Sequence, residues 1–282
     1  MKKIVFDSQN FNILDTLECG QVFRFLLYEK GYKVFSIDKC AYAYAENQTT
    51  VIECEDNHYD YFYNYFDLDR DYNKINKRAK DLGVEIITKS AELGKGIRLL
   101  NQDLFEVSVS FIISQNNNIP RIKSIIEKLC FSLGEKKTFL GEEYYAFPTA
   151  KAMSKMGVEF YKGIGLGYRA EYVKNFATLV CDGLDLSALK TLDTIDLKNR
   201  LISFKGIGPK VADCITLFGY KKSDSFPVDT WIEKVYREDL DGALLDRKKI
   251  AIELSKRFKD DAGYIQQYLF YYKRSLESKN NG

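Results

Sequence analysis

Histidine is almost missing from this 282-residue chain, which carries only His58, and that scarcity removes most histidine-based nucleophilic and general-base chemistry. A lone histidine amid tyrosines reads as edge packing. The six cysteines, Cys19, Cys40, Cys54, Cys130, Cys181 and Cys214, are scattered, with no Cys-x-x-Cys pair and none after Cys214. Such spacing argues against a metal site, a disulfide framework and an iron–sulfur cluster. No run reaches the ~18 apolar residues of a membrane span. Asp7 falls where a signal peptide would need its apolar core. A cytoplasmic protein with no membrane partner is expected.

Strong charge of either sign is also lacking, the net value being +2. Its distribution is uneven: residues 1–90 hold 12 Lys and Arg against 15 Asp and Glu, and the remainder hold 30 against 25. A basic bias toward the C-terminal part gives nucleic-acid binding a moderate lift. A composition of 45% hydrophobic and 29% charged residues is that of a folded globular protein, long enough for roughly two domains.

Residues 3–55 contain short β-branched and aromatic runs separated by turn residues, which predicts an antiparallel sheet. The aromatic-rich stretch 59–72 reads as packing between sheet and helix rather than a surface for stacking bases. From residue 73 the pattern turns helical. It predicts a helix ending near Gly83, a short strand over 84–88, and a long apolar helix over 98–115 stopped by Asn116-Asn117-Asn118. Further helices fit 120–130, 149–156, 158–162, 168–181 and 186–204. The fold class is α+β, with a sheet domain over 1–90 and a helical domain over 91–282. Gly163-Ile164-Gly165-Leu166-Gly167 has no preceding strand and no acidic ribose partner, so it reads as a bend presenting Tyr168 and Arg169 rather than a dinucleotide loop.

Chemistry concentrates in residues 201–231, which read as helix, glycine hairpin, second helix, loop and a third helix opening at Asp229. Gly206 and Gly208 permit positive φ and close backbone approach, and Pro209 suits a first helical turn. Such a helix start presents unpaired N–H groups that can receive a phosphate. Val211, Cys214, Ile215 and Phe218 then form an apolar face, while Lys210, Cys214 and Leu217 form an adjoining stripe. Lys210 is a cation at the wrong end of the helix dipole. Either it is a solvated surface residue, or a partly enclosed site lowers its pKa and makes it a nucleophile. Asp229 is either an N-cap or a fixed carboxylate facing that amine, and a Thr230–Glu233 capping box competes for the cap. Spacing leaves these choices open.

Gly-Ile-Gly-Pro-Lys-Val-Ala-Asp-Cys over 206–214, with Pro227-Val228-Asp229 following, resembles the helix-hairpin-helix DNA glycosylase superfamily. More narrowly, the chain resembles the 8-oxoguanine DNA glycosylase/AP lyase family. Gly20-Gln21-Val22-Phe23-Arg24, Arg98-Leu99-Leu100-Asn101-Gln102-Asp103, Ser114-Gln115-Asn116-Asn117-Asn118-Ile119-Pro120-Arg121, Gly165-Leu166-Gly167-Tyr168-Arg169-Ala170 and Ala262-Gly263-Tyr264-Ile265-Gln266 extend the resemblance over nearly the whole chain.

The resemblance implies a TATA-binding-protein-like N-terminal sheet and a bifunctional enzyme acting on double-stranded DNA that contains 8-oxoguanine. Lys210 would attack C1′ of an extruded nucleotide, assisted by Asp229, and the resulting Schiff base would undergo β-elimination. The Gly20 carbonyl would accept the N7–H that guanine lacks, Cys214 and Phe270 would sandwich the base, and Gln266 would read its Watson–Crick edge. Tyr168 would wedge the stack, Asn116 would fill the gap, and Arg121 with Arg169 would bind the orphaned cytosine. Amides near Gly206, Gly208 and Val211 would hold a phosphate, with a weakly bound Na+ or K+ on the hairpin carbonyls and no required cofactor. A monomer is expected, at the nucleoid of a bacterium or in the nucleus of a eukaryote. Trp231 departs from the eukaryotic pattern, which has a phosphate-contacting histidine there, although an indole N–H also donates. A helix-hairpin-helix glycosylase for another damaged base, or a non-catalytic DNA-binding module, is the alternative.

Overall fold

The β-branched and aromatic runs of the first 54 residues pair into one antiparallel sheet. Its strands are β1 (Lys2–Asp7), β2 (Phe25–Tyr28), β3 (Gly31–Ser36), β4 (Lys39–Glu46) and β5 (Thr49–Cys54), in the order β1-β5-β4-β3-β2. Two-residue turns join β2 to β5, their first residues Glu29, Ile37 and Asn47 taking left-handed φ of 46°, 55° and 54°. Helix α1 (Ile13–Glu18) crosses from β1 to the far edge. With α2 (Tyr59–Tyr65), it buries Phe11, Leu17, Phe62, Tyr65 and Phe66 against Val34, Ala43 and Ile52. The tyrosine-rich stretch therefore works as packing. The computed structural model describes residues 1–280 of the chain.

Helices follow: α3 (Tyr72–Asp81), α4 (Glu85–Leu93), α5 (Leu104–Ser114) and α6 (Ile119–Leu133). A hairpin of β6 (Lys136–Phe139) and β7 (Glu142–Tyr145) intervenes before α7 (Ala150–Ser154), α8 (Val158–Gly163), α9 (Arg169–Cys181) and α10 (Thr194–Ile202). The chain ends with α11 (Pro209–Phe218), α12 (Thr230–Glu238), α13 (Arg247–Phe258) and α14 (Ala262–Asn280). Among the described residues, no helix is long and apolar enough to cross a membrane.

Three expectations are corrected. The strand over 84–88 is the first turn of α4, whose buried Ile87, Ser90 and Ala91 have helical spacing. The helix expected from 98 starts only at Leu104, because the Asp103 carboxylate accepts the Phe105 and Glu106 amides at 3.0 and 2.9 Å and caps it there. The stretch 186–204 divides into a 3-10 turn, Ser187–Thr191, and α10, with Asp193 capping the second by accepting the Asp196 amide at 2.8 Å.

Residues 98–102 cross between the two cores in extended form. Arg98 is 1% exposed, and its guanidinium donates to the carbonyls of Phe66, Asn10, Asp67 and Arg70 at 3.0, 2.8, 2.5 and 2.8 Å. The Tyr72 ring covers it at 4.2 Å. A buried guanidinium is tolerated because its donors are satisfied. Gln21, fully buried, joins the same seam: its amide donates to the Thr16 and Arg98 carbonyls at 2.9 and 2.7 Å and accepts the Leu100 N–H at 2.9 Å. These bonds fix the segment that leads from Gly20 into β2.

Candidate active site

Between α10 and α11 the chain turns through Gly206, whose φ is +96°. A Cβ there would stand 2.3 Å from Cγ of Tyr172, so both backbone and neighbour require glycine. Its carbonyl accepts the Gln115 side-chain amide at 2.9 Å. Gly208 differs from expectation. Its φ of −86° is open to any residue, and nothing lies within 4 Å of where a Cβ would be. Open space in front of this N-cap, rather than strain within the chain, is what glycine supplies here. Pro209 occupies the first turn of α11 as predicted, and the Lys210 and Val211 amides belong to the turn that has no intrahelical acceptor.

Lys210 stands on that turn with a path to solvent, although protein crowds it on several sides. Its Nζ lies 5.5 Å from the centroid of Phe111, a ring from α5 that stacks on Phe218 at 5.5 Å and meets Phe23 edge-on at 5.6 Å. Cys214, one turn on, is buried and within hydrogen-bonding reach of the amine. Asp229 caps α12, its carboxylate accepting the Trp231 and Ile232 amides at 3.0 and 2.9 Å, which settles the cap in its favour over Thr230.

The electrostatics reverse one expectation. Burial does disfavour the Lys210 ammonium, but Cys214, Asp229 and Asp213 together outweigh it and hold the amine above its ordinary value. Burial raises the Asp229 carboxyl, against the opposing pull of the Ile232 amide, Lys210, the Trp231 amide and Arg247. Burial also pushes the Cys214 thiol up to about 11, so near neutral pH it is a polarisable neutral neighbour. Lys210 is thus a protonated amine beside a carboxylate more basic than usual. The carboxylate is placed to stabilise positive charge near the amine.

Asp213 supports the same helix from behind. Its carboxylate meets Lys198 of α10 at 2.7 Å, and Ser225 Oγ donates to its backbone carbonyl at 3.2 Å. Ser225 lies four residues before Asp229, so α10, α11 and the loop that carries the acid are tied at one point.

On the other wall, Gly20 has φ +82°, and a Cβ there would stand 2.9 Å from the Phe270 ring. Gln266, one turn before Phe270 on α14, is 5% exposed, and its Oε1 has no hydrogen-bond partner. A buried acceptor without a donor costs about 1–3 kcal/mol, so its presence points to a ligand that completes it.

A third group forms around the stop after α5. Asn116, at φ 45°, donates to the Tyr168 hydroxyl at 3.2 Å, and Tyr168 is half exposed. Arg169 is 5% exposed, and its guanidinium donates to the carbonyls of Gln115, Asn116 and Leu166. Arg121 is exposed and donates to the Gly165 carbonyl at 3.3 Å. Trp231 lies on the first turn of α12 with Lys234 at 5.2 Å from its ring.

Sequence reasoning gave no role to Gln115, Phe111, Asp213 or Gln267. Gln115 and Asp213 lie within the motifs that carry the resemblance, whereas Phe111 and Gln267 meet residues far along the chain that no local pattern reports. A cavity of about 900 Å3 opens elsewhere, between β2, α6 and the β6–β7 hairpin, and contains none of the candidate residues. Its buried Arg24 and Lys33 are already paired, with Glu106 and Glu142. Among the described residues, no group of three or more His, Cys, Asp or Glu could hold a metal ion.

Residues 3–107 match the family model for the 8-oxoguanine DNA glycosylase N-terminal domain, and residues 109–259 match that for the HhH-GPD superfamily base excision DNA repair protein. A probable N-glycosylase/DNA lyase of Methanothermobacter thermautotrophicus is 28% identical, with 74% of this chain and 72% of that protein aligned. The N-glycosylase/DNA lyase of Saccharomyces cerevisiae is 32% identical over 62% of this chain, which spans 56% of the yeast protein. Among solved structures, 8-oxoguanine glycosylase/lyase of Clostridium acetobutylicum, bound to double-stranded DNA containing cytosine opposite to 8-oxoG, superimposes with a TM-score of 0.89 and 36% identity. That match covers 95% of this chain and 93% of the other.

Proposed function

This chain belongs to the HhH-GPD superfamily of base excision DNA repair proteins and carries the 8-oxoguanine DNA glycosylase N-terminal domain; on that premise we propose that it excises 8-oxoguanine from duplex DNA through Lys210 and then nicks the strand. The observation that carries this reading is the placement of Lys210 on the open first turn of α11, one turn from buried Cys214, with Asp229 held as the cap of α12. Lys210 reacts as the neutral amine, its proton lost to solvent, while the Asp229 carboxylate stabilises the positive charge that develops on the sugar. The neutral amine then bonds to C1′ as the C1′–N9 bond breaks, and the base leaves with that electron pair and gains a proton. The C1′-bound nitrogen gives up a proton and its lone pair then breaks the C1′–O4′ bond, O4′ taking a proton, to give the protonated Schiff base; removal of a C2′ proton then expels the 3′ phosphate.

In the base pocket, the Gly20 carbonyl accepts the lesion's N7–H, and the unpaired Oε1 of Gln266 meets a donor on its Watson–Crick edge. Cys214 and Phe270 bound the two faces. Guanine would present an acceptor to the Gly20 carbonyl, the kind of polar mismatch that discriminates strongly. Flipping is required because C1′ and the base edge are inaccessible in the stack.

Backbone amides of Gly206, Gly208 and Val211 hold a phosphate of the lesion strand, with Trp231 available as an indole donor. A Na+ or K+ ion would use hairpin carbonyls other than that of Gly206, which Gln115 occupies. Tyr168 is exposed enough to enter the stack, with Asn116 beside it. Arg121 is placed to meet the orphaned cytosine, whereas Arg169 must exchange the loop carbonyls for it. Action as a monomer is part of this reading.

Borohydride reduction during reaction with an 8-oxoguanine:cytosine duplex tests the reading: a covalent protein–DNA adduct is expected, and its absence overturns the mechanism. Opposite-base selectivity is a separate expectation, with cytosine preferred by about tenfold or more, the worth of a good bidentate contact. Comparable single-turnover rates opposite all four bases would remove Arg121 and Arg169 from that role.

A further inference from the structure

Helix α14 presents two adjoining stripes to the N-terminal segment. Gln266 and Phe270 form the one that faces the base pocket. Gln267, Tyr271 and Arg274, spaced by four and three residues, form the other, and all three bond to α1 or its C-cap. Gln267 Nε2 donates to the Cys19 carbonyl, Tyr271 Oη to the Asp15 carboxylate at 2.5 Å, and Arg274 to the Glu18 carbonyl at 2.6 Å. Glu18 and Cys19 end the helix, where carbonyls have no intrahelical donor.

The bond to Cys19 differs in consequence from the other two. A peptide group is planar, so fixing the Cys19 carbonyl fixes the Gly20 N–H and the plane from which Gly20 turns through φ +82°. Gln267 is 2% exposed, so bulk solvent does not compete for this bond. Downstream, Gln21 is fixed by its own three bonds to Thr16, Arg98 and Leu100. The Gly20 carbonyl is therefore held from both sides, and the upstream anchor sits next in sequence to Gln266.

We propose that Gln267 is a positioning residue for lesion recognition: by holding the Cys19–Gly20 peptide it aims the Gly20 carbonyl at the N7–H of 8-oxoguanine. The proposal rests on the reading of Gly20 as the lesion acceptor. It also makes α14 the common frame for both polar readers of the base, one through a side chain and one through a backbone carbonyl. An abasic site has no base to read, so strand cleavage there does not depend on where that carbonyl points.

Gln267→Met keeps the length and bulk of the side chain and removes the donor. Single-turnover excision of 8-oxoguanine opposite cytosine is measured beside cleavage of a preformed abasic site in the same duplex. Excision is expected to fall about 10- to 100-fold, the cost of a reacting group misplaced by roughly 1 Å, with abasic cleavage within about twofold of the wild type. Proportional loss of both rates, or no change in their ratio, overturns the proposal. Gln267→Asn, which withdraws the amide by one methylene, is the milder second variant. It should lower the same ratio by a smaller factor, and an unchanged ratio there also overturns the idea. Failure of the underlying reading looks different: the wild-type chain itself would then excise 8-oxoguanine no faster than guanine.

Discussion

Lys210→Gln is expected to eliminate the borohydride-trapped adduct and to lower excision by about 10³-fold or more, the scale on which loss of a nucleophile is felt. Glutamine keeps a polar side chain of similar reach on the first turn of α11, and the hairpin glycines and Pro209 are untouched. Affinity for the lesion duplex should survive, since phosphate is gripped through backbone amides rather than through the amine. Persistent trapping in the variant would assign the covalent chemistry to another amine. The wild-type profile has a sign as well. Because Cys214, Asp229 and Asp213 hold the amine above its ordinary value, ammonium dominates near neutrality. Excision by the free enzyme should then rise with pH across the neutral range as the reactive form accumulates, and a flat profile would contradict this.

Asp229→Asn is expected to cost about 10²- to 10³-fold in excision, the range found when one preorganised charge-stabilising group is removed. Stability should change little. Asparagine is as good an N-cap as aspartate, so the Trp231 and Ile232 amides keep an acceptor. That separation of activity from stability distinguishes a charge-stabilising carboxylate from a helix cap, the two roles the sequence left open. Asp229 is also one of the groups that raise the Lys210 amine, so its loss lets the amine deprotonate more easily. The amine limb of the pH–rate profile therefore moves toward lower pH while the plateau falls. A melting temperature lowered in step with activity, with no displacement of that limb, would reduce Asp229 to a cap.

Much of this site was legible because its key positions are local. Pro209, Gly206 and Asp229 are read from what they do to their own backbone, and Lys210 is then placed by counting from Pro209. Lys210's electrostatic setting was not legible in the same way. Burial was foreseeable, but the direction of the shift depends on a sum over Cys214, Asp229 and Asp213, and Asp213 comes with its own partner, Lys198, from a different helix. Gln267 escaped notice for a related reason: its partner is a backbone carbonyl some 250 positions away. In the fold, Ile86, Ile87 and Thr88 have the side chains of a strand, and only the burial of Ser90 and Ala91 further along reveals one helix. The β6–β7 hairpin is polar and four residues deep on each side. It owes its place to Tyr144, which meets Phe35 across the sheet at 5.3 Å.

Arg98 gives the chain a mechanical property that neither half would have alone. Its four carbonyl partners come from the β1–α1 connection and from the segment between α2 and α3, while its own backbone leads into α5. Separating the sheet from the helical bundle would strand a charged guanidinium in an apolar seam and leave four carbonyls without donors, a loss comparable to the whole stability of a small domain. The two halves are accordingly expected to melt in a single cooperative transition in calorimetry. A nick in the 98–102 crossing would release no independently folded fragment, and a duplex bent across both halves would meet a stiff tool rather than a hinged one.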